Sequence, residues 1–211
     1  TRKKIKKVKA KNIIIATGAK SREMPGLPFN GTTVISSKEA MILEKQPKSM
    51  VIIGAGAIGM EFGYIYNAFG TEVTIVEMMP NCLPVEDDEI ADAITKSYKK
   101  AGINCLTDTK VTGTKDNGSS VTITVENSSG TKDITADCCL VAIGVAPVLP
   151  DGEQPALTDR GWVQIDDRYE TSIPGVYALG DISGPPWLAH TASFEAMQCV
   201  EGMFVEGATV R

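Results

Sequence analysis

The stretch VIIGAGAIGMEFG, residues 51–63, constrains the fold of this chain more than any other segment. An apolar run ends at Gly54, and Gly56 and Gly59 complete the spacing G-x-G-x-x-G before a helix-like pattern. Gly54 permits a tight turn, Gly56 lets a ligand approach the backbone, and Gly59 lets the helix pack closely on the strand. The N-terminus of such a helix presents unpaired N–H groups to phosphates. We therefore predict a strand, a turn and a helix that bind a dinucleotide.

A carboxylate at the end of the next predicted strand, 71–77, indicates which dinucleotide is bound. Glu77 lies 23 positions after Gly54, where a carboxylate can accept hydrogen bonds from both ribose hydroxyls of the adenosine half. A 2′-phosphate would meet the like charge, and the following residues MMPNCLP contain no Arg or Lys. The sequence therefore favours NAD over NADP. The alternative for Glu77 is an exposed strand-end residue without a ligand.

Glu61 lies on the second turn of the same predicted helix. A carboxylate early in a helix is stabilised by the helix dipole, so a purely structural role is available. Contact with the nicotinamide is the other interpretation, and position alone does not decide between them.

The pattern along the chain predicts an α/β fold. Helices are expected at 57–69, in the segment EDDEIADAITKSYKKAG, in LAHTASFEAMQCVEGMFVEG, and briefly after a capping Ser37. Period-two alternation with Asn-Gly and Ser-Gly turns predicts an antiparallel meander over 109–139. Continuous apolar runs predict buried strands at 11–18 and 138–144, VYALGDISG predicts another strand, and the Pro- and Gly-rich segment 22–31 has the composition of a linker.

Composition excludes several function classes. The chain is 43% hydrophobic and 22% charged, and its longest apolar run, about residues 50–60, is too short to span a membrane. Seven of the 21 basic residues lie in residues 1–11, and we expect a solvated strand or chain end there rather than a nucleic-acid-binding arm. The five cysteines show no C-x-x-C spacing and predict reduced, mostly buried thiols in a cytosol-like compartment, with no structural metal site.

Several motifs occur in the order and spacing of the flavoprotein disulfide reductases: IIIATG, GAGAIGMEFG, VAIGVAP, VYALGD and LAHTASFEA. Within this family the chain most resembles the dihydrolipoamide dehydrogenases. The resemblance implies a Rossmann-like NAD-binding domain, a parallel sheet plus the meander, inserted into an FAD-binding domain. It implies that residues 1–30 end the first FAD-domain segment and linker, that 31–146 form the NAD-binding domain, and that 147–211 form the second FAD-domain segment.

The resemblance also implies cofactor contacts. Glu61 matches the family's helix glutamate beside nicotinamide and flavin, and His190 matches a flavin-side packing residue rather than a catalytic base. The residues implied for NAD are Gly54, Ala55, Gly56, Ala57, Ile58, Gly59, Met60, Glu61, Glu77, Val111 and Gly144. The residues implied for FAD are Thr17, Gly18, Ala19, Asp181, Leu188, Ala189 and His190.

Other parts of the family pattern are missing from these residues: the first FAD fingerprint, the C-x-x-x-x-C redox disulfide and the His-Glu acid–base pair. Because the chain begins with Thr1, we expect a processed or excised piece of a longer protein. The resemblance implies that the parent oxidises dihydrolipoamide with NAD, as a homodimer within a 2-oxo acid dehydrogenase complex of the cytoplasm or mitochondrial matrix. We expect the chain alone to be inactive.

Two other interpretations remain open. The chain could be a stand-alone NAD-binding module, which predicts a polar surface where the rest of an FAD domain would dock. It could instead derive from a related flavoprotein, such as an NADH oxidase, a ferredoxin reductase or a mercuric reductase, because these share the NAD-binding segment. The cysteine region that these residues lack would distinguish the flavoproteins from one another.

Overall fold

A computed structural model describes residues 7–205. These residues form two compact units. We call residues 21–144 the central unit, and the segments 7–20 and 145–205 together the flanking unit. Residues 1–6, which belong to the basic segment 1–11, lie outside the described residues.

In the described part of the chain, the helices are α1 (Ser37–Ala40), α2 (Ala57–Ala68), α3 (Asp88–Lys100) and α4 (Ala189–Phe204), with a 3-10 turn at Gly180–Ser183. The strands up to the second helix are β1 (Ile13–Ile15), β2 (Ala19–Ser21), β3 (Val34–Ile35) and β4 (Ser49–Ile53). The later strands are β5 (Glu72–Val76), β6 (Asn104–Leu106), β7 (Lys110–Asp116), β8 (Val121–Asn127), β9 (Gly130–Ala136), β10 (Cys138–Val141), β11 (Val145–Pro147) and β12 (Val176–Ala178).

A parallel sheet with strand order β3-β10-β4-β5-β6 forms the middle layer of the central unit. Successive side chains of a strand point to opposite faces, so a strand covered on both faces reads as a continuous apolar run. In β4, Met50 and Ile52 pack into one buried cluster, whereas Val51 and Ile53 pack into another. The predicted α/β class with a parallel sheet is confirmed.

The two faces of this sheet are covered by different structures. Met60 and Tyr66 of α2, with partly buried residues of α3, cover the first face. The antiparallel meander β7-β8-β9 covers the second face with Val121, Ile123 and Val125 of β8. The meander and its Asn-Gly and Ser-Gly turns are as the sequence predicts, because alternation and turn chemistry act over short distances along the chain.

The helix ends differ from expectation at one position. The sequence predicts Ser37 as the cap of the short helix, but the cap is Ser36, which forms a capping box with Glu39. The Glu39 carboxylate accepts from both the backbone nitrogen and the hydroxyl of Ser36. Adjacent serines carry the same local signal, and only this reciprocal bonding identifies the cap.

The segment after Ser21 belongs to the central unit and is not a loose linker. Leu27 is buried in the cluster on the meander face, and the Thr114 hydroxyl donates to the carbonyl of Gly26. The two compact units meet at 20/21 and 144/145. The domain boundaries that the family resemblance implies, 30/31 and 146/147, remain a prediction. Tertiary packing of one leucine outweighs a Pro- and Gly-rich composition here.

The flanking unit contains two small sheets, β1-β12 and β2-β11, and the long helix α4. Ile13 and Ile14 of β1 are 52% and 43% exposed, so the prediction of a fully buried strand is wrong for these two residues. Within the described residues β1 has β12 as its one neighbouring strand, which leaves most of its surface uncovered. No helix between residues 7 and 205 is long and apolar enough to cross a membrane.

Candidate dinucleotide-binding site

The glycine-rich turn lies at the carboxyl end of β4. Gly54 has φ +100°, and its backbone nitrogen donates to the carbonyl of Val76 at 2.9 Å. A Cβ atom at Gly54 would overlap the carbonyl of Ala142. Both the left-handed backbone and this close approach require glycine.

Gly56 and Gly59 occupy different environments on α2. Gly56 is the N-cap, no side chain caps the helix there, and a Cβ at this position would meet no atom within 4 Å. A Cβ at Gly59 would overlap the carbonyl of Gly54 and contact Ile52 at 3.3 Å. Gly59 therefore allows α2 to pack on β4, while the open space at Gly56 leaves the helix N-terminus accessible to an anion.

Glu77 connects the turn to the segment that follows β5. Its Oε2 accepts from the backbone nitrogen of Ala55 at 2.7 Å, and its Oε1 accepts from the backbone nitrogen of Met79 at 2.9 Å. The side chain is only 8% exposed. The sequence predicts that Glu77 meets a ligand, but it does not predict these two backbone bonds. A carboxylate has about four lone-pair positions, so two bonds leave capacity for ribose hydroxyls.

The segment 78–87, here called the acidic-strand loop, closes back onto the same turn. The backbone nitrogen of Leu83 donates to the carbonyl of Ala55 at 2.7 Å, and Leu83 has φ +51°, which is uncommon for a leucine. Ala55 is thus held at its nitrogen by Glu77 and at its oxygen by Leu83. Asp87 ends this loop as the N-cap of α3.

The other residues implied for NAD do not share one environment. Ala57 and Glu61 are exposed on α2, and Ile58 is half-buried. Met60 is buried in the core beneath the helix, so its side chain is directed away from the open face of the turn. Val111 is half-buried on β7 beside a bulge, and Gly144, with φ +98°, accepts from the backbone nitrogen of Arg22 at 3.0 Å.

Most of the residues implied for FAD lie at two places in the flanking unit. Gly18 has φ +72° and its carbonyl accepts from the backbone nitrogen of Val148, while the Thr17 hydroxyl donates to the Val148 carbonyl at 2.5 Å. Asp181 lies in the 3-10 turn. Ala19 follows Gly18 and begins β2. Leu188 is the N-cap residue of α4, and Ala189 and His190 are exposed on the first turn of that helix.

The sequence profile of the pyridine nucleotide-disulphide oxidoreductases matches residues 1–196. The chain belongs to the pyridine nucleotide-disulphide oxidoreductase family. The dihydrolipoyl dehydrogenase of Chlorobaculum tepidum is 42% identical over 199 residues, and that of Rhizobium etli is 43% identical over 196 residues. These alignments cover 92% and 91% of the chain, but only 42% and 41% of the two relatives.

Solved structures of this family share the fold. RclA from Escherichia coli, an HOCl-induced flavoprotein disulfide reductase, matches with a TM-score of 0.83 and 27% identity over 94% of this chain and 46% of its own. LpdA from Mycobacterium tuberculosis matches with a TM-score of 0.85 over 95% of this chain and 44% of its own. Because LpdA is only 24% identical, this comparison supports the fold and nothing further. The resemblance to flavoprotein disulfide reductases expected from the motifs is confirmed.

Sequence reasoning missed one residue in this family member that the structure makes prominent. Glu195 on α4 is 9% exposed, and its Oε2 accepts from the backbone nitrogen of Gly180 at 2.8 Å. Gly180 has φ +72°, and a Cβ there would lie 3.2 Å from the Cβ of Ala192. Glu195 therefore holds the start of the turn that carries Asp181. The available signal was an acidic residue within the mostly apolar helical stretch ASFEAM.

Proposed function

We propose that this chain is the NAD-binding portion, with part of the FAD-binding domain, of a flavin-dependent dihydrolipoamide dehydrogenase. The observation that carries the proposal is the turn from Gly54 to Gly59, whose backbone both requires glycine and leaves the N-terminus of α2 open. In this role the turn binds the pyrophosphate of NAD. Because the chain spans about 42% of its dihydrolipoyl dehydrogenase relatives, the activity proposed is that of a longer protein.

NAD is the proposed nucleotide because of the charge at the end of β5. The carboxylate of Glu77 would repel a 2′-phosphate, and the residues that follow, from Met78 to Pro84, include no cation. The bonds from Ala55 and Met79 hold this carboxylate in place before any ligand arrives, which lowers the entropy cost of binding. Glu61, Val111 and Gly144 are proposed to complete the site at the adenine and nicotinamide ends.

FAD is the second proposed cofactor, bound through residues of the flanking unit. Thr17, Gly18 and Ala19 would line one part of its site, and Asp181 with Leu188, Ala189 and His190 another. Flavin and nicotinamide supply the redox chemistry in such enzymes, while the protein binds and orients them. In the proposed parent, electrons would pass from dihydrolipoamide through a cysteine pair and FAD to NAD.

We propose further that the 211 residues alone do not oxidise dihydrolipoamide. No two of the five cysteines are five positions apart, and the single histidine is an exposed residue on the first turn of α4. A purified sample is expected to show no dihydrolipoamide-dependent reduction of NAD at 340 nm. A rate proportional to protein concentration would contradict this. Homodimer formation within a 2-oxo acid dehydrogenase complex, in the cytoplasm or mitochondrial matrix, is likewise proposed for the parent.

Two alternatives receive unequal support. A stand-alone NAD module should present a polar surface on the flanking unit, but Ile13 and Ile14 are exposed there, as are Phe194 and Met197 of α4. This apolar surface argues against the module. A fragment of another flavoprotein disulfide reductase is the better-supported second candidate, because RclA, at 27% identity, shares the fold over nearly the whole chain.

The deciding experiment titrates the 211-residue chain with NADH and, separately, NADPH, following nicotinamide fluorescence. We expect saturable NADH binding and NADPH binding that is at least about tenfold weaker. A tenfold difference in affinity corresponds to about 1.4 kcal/mol, and contact between the Glu77 carboxylate and a 2′-phosphate is expected to cost at least that much. The Gly56→Ala variant tests the position of the site. Its added methyl group meets no protein atom within 4 Å, but it would occupy the space proposed for the pyrophosphate, so NADH binding should be lost. Equal binding of both nucleotides, or unchanged NADH binding by Gly56→Ala, would contradict the proposed site.

A further inference from the structure

Two of the seven asparagines in the chain, Asn30 and Asn117, are followed by glycine. The backbone nitrogen of a residue that follows asparagine can attack the asparagine side chain and release ammonia, a reaction called deamidation. Glycine permits this reaction best because it has no Cβ atom to hinder the approach. The other five asparagines precede larger residues. The chain therefore contains two candidate modification sites with the same following residue.

The two glycines have similar surroundings. Gly31 and Gly118 have φ +76° and +85°, and a Cβ atom at Gly31 or at Gly118 would meet no atom within 4 Å. Asn30 and Asn117 are both exposed, so water can reach both side chains. The difference between the two pairs lies in their hydrogen bonds.

The side chain of Asn30 is bonded through both atoms of its amide. Its Oδ1 accepts from the backbone nitrogens of Thr32, Thr33 and Val34 at 2.9–3.0 Å, and from the Thr32 hydroxyl at 3.1 Å. Its Nδ2 donates to the Thr33 hydroxyl and to Oδ2 of Asp116, each at 2.8 Å. Six hydrogen bonds to other described residues thus hold this side chain in place.

The side chain of Asn117 has fewer partners. Its Nδ2 donates to the hydroxyl of Ser120 at 3.2 Å and to the hydroxyl of Thr122 at 3.0 Å. These are its two side-chain hydrogen bonds within residues 7–205. All four residues named here or between them, 117–122, belong to the turn and first positions of the hairpin that joins β7 to β8.

The two attacking nitrogens also differ in what accepts their proton. The backbone nitrogen of Gly118 donates to Oδ1 of Asp116 at 2.9 Å. The backbone nitrogen of Gly31 donates to the carbonyl of Val34 at 3.1 Å. A carboxylate is a stronger base than a carbonyl oxygen, so the Gly118 nitrogen is the better placed of the two to lose its proton.

We propose that Asn117 is a site of spontaneous deamidation on the folded protein, and that Asn30 is protected there by its hydrogen bonds. In the first step the Gly118 nitrogen attacks Cγ of Asn117, the N–Cγ bond forms, and the bond from Cγ to Nδ2 breaks. Ammonia leaves with the proton of the Gly118 nitrogen, and a succinimide ring remains. In the second step water opens the ring at either of its two carbonyl groups, which gives aspartate or isoaspartate. No atom is oxidised or reduced.

The expected selectivity follows from the bonds that each side chain gives up. Ring closure bends the side chain toward the next backbone nitrogen and removes Nδ2, so the hydrogen bonds of the side-chain amide are lost. Asn30 loses six of these bonds and Asn117 loses two. Because each bond contributes a modest net free energy, we expect deamidation at Asn117 to be at least about tenfold faster in the folded chain.

The structure accommodates the product at one position and not at the other. Asn30→Asp would place a second carboxylate where Nδ2 now lies 2.8 Å from Oδ2 of Asp116. At Asn117→Asp, the hydroxyls of Ser120 and Thr122 can donate to a carboxylate as well as accept from an amide. Asn30→Asp should therefore lower the urea midpoint of unfolding, whereas Asn117→Asp should leave it close to that of the parent sequence. Equal midpoints would contradict the protection inferred for Asn30.

The test incubates the 211-residue chain in mildly alkaline buffer, folded or in concentrated urea, and follows both sites by peptide mass mapping. Cleavage after lysine and arginine places Asn30 in the peptide 23–38 and Asn117 in the peptide 116–132, so the two sites are measured separately. In the folded chain, aspartate and isoaspartate should accumulate at Asn117 at least about tenfold faster than at Asn30. In urea the two rates should become similar, because the hydrogen bonds are lost and the following glycine is the same.

Two variants provide matched controls, since each removes one hydroxyl acceptor from one site. Ser120→Ala should speed deamidation at Asn117 by about two- to tenfold and leave Asn30 unchanged. Thr33→Val should speed deamidation at Asn30 by a similar factor and leave Asn117 unchanged. If Thr33→Val fails to fold, the comparison of the folded and unfolded parent chain still decides the proposal. Equal rates at the two sites in the folded chain, or the same ratio of rates in urea, would each overturn it.

Discussion

The Oε2 atom of Glu77 lies 2.7 Å from the backbone nitrogen of Ala55, which joins the end of β5 to the glycine-rich turn after β4. The other carboxylate oxygen is bonded to the backbone nitrogen of Met79. One buried side chain thus organises both segments that border the open N-terminus of α2. The residue predicted from sequence to select the ligand also shapes the site.

Replacing Glu77 tests this structural role directly. Glu77→Ala leaves two backbone N–H groups without their acceptor, and we expect the free energy of unfolding to fall by about 1–3 kcal/mol. NADH affinity should fall by about tenfold or more, because the turn loses its anchor and the ribose loses an acceptor. Urea unfolding followed by circular dichroism measures the first effect, and nicotinamide fluorescence the second.

Glu72→Ala is the control for that experiment, since Glu72 is an exposed carboxylate on the same strand. It removes an equal charge without removing either backbone bond. A loss of stability equal to that of Glu77→Ala would show that general charge, and not the two bonds, is responsible.

Two glycines of the same turn should respond differently to alanine. Gly59→Ala forces a methyl group against the Gly54 carbonyl and Ile52, and overpacking of this kind lowers the free energy of unfolding by about 1–3 kcal/mol. Gly56→Ala adds a methyl group in open space, so its unfolding midpoint should remain close to that of the parent sequence while NADH binding is lost. If both variants have the same unfolding midpoint, the assignment of a packing role to Gly59 and of ligand access to Gly56 is wrong.

Glu195 should stabilise the flanking unit through Gly180. Glu195→Ala leaves the Gly180 N–H without its acceptor, and we expect a loss of about 1–3 kcal/mol in the free energy of unfolding. Both tryptophans, Trp162 and Trp187, lie in this unit with ring centroids 5.3 Å apart. Tryptophan fluorescence therefore reports its unfolding without contribution from the central unit.

The exposed Glu201 on the same helix supplies the comparison for Glu195. Glu201→Ala should shift the fluorescence-detected midpoint little. Because the Gly180 turn carries Asp181, Glu195→Ala should also weaken any FAD binding that the chain shows. A tryptophan transition that is the same in both variants would contradict the anchoring role of Glu195.

The capping box of α1 predicts a dependence on pH. Hydrogen bonds from Ser36, the side-chain bond first, hold the pKa of Glu39 below its ordinary value. A lowered folded-state pKa means that this contribution to stability is complete above the ordinary carboxyl pKa and is lost as pH falls through the lowered one. Ser36→Ala should therefore raise the pKa of Glu39, as measured by NMR titration of its side-chain carboxyl carbon. Ser37→Ala should leave it unchanged, because Ser37 is not the cap.

The elements predicted well from the sequence depend on residues close together in the chain. The turns at Gly118 and Gly130 have positive φ angles, as Asn-Gly and Ser-Gly pairs indicate, and they join the strands of the meander. α3 begins after acidic residues and ends beside lysines, in accord with its dipole. The glycine spacing at 54–59 likewise needs only a strand and a helix that follow one another.

The predictions that failed depend on what covers a residue. Ile13 and Ile14 lie in a continuous apolar run of the kind that predicts a buried strand. They are exposed because, among the described residues, β12 is the one strand beside β1. Leu27 lies in a segment with a linker's composition, yet it is buried against the meander. Local pattern reports what a segment can form, whereas burial depends on segments that are distant in sequence.

The sequence by itself determined the family, the glycine-rich turn and the carboxylate beside it, because each is a property of residue type and short spacing. Only the tertiary structure decided that Glu77 binds Ala55 and that Glu195 binds Gly180. Each of these pairs joins residues at least fifteen positions apart. Such contacts arise when strands and helices pack, and the free energy of that packing is not encoded in any one segment.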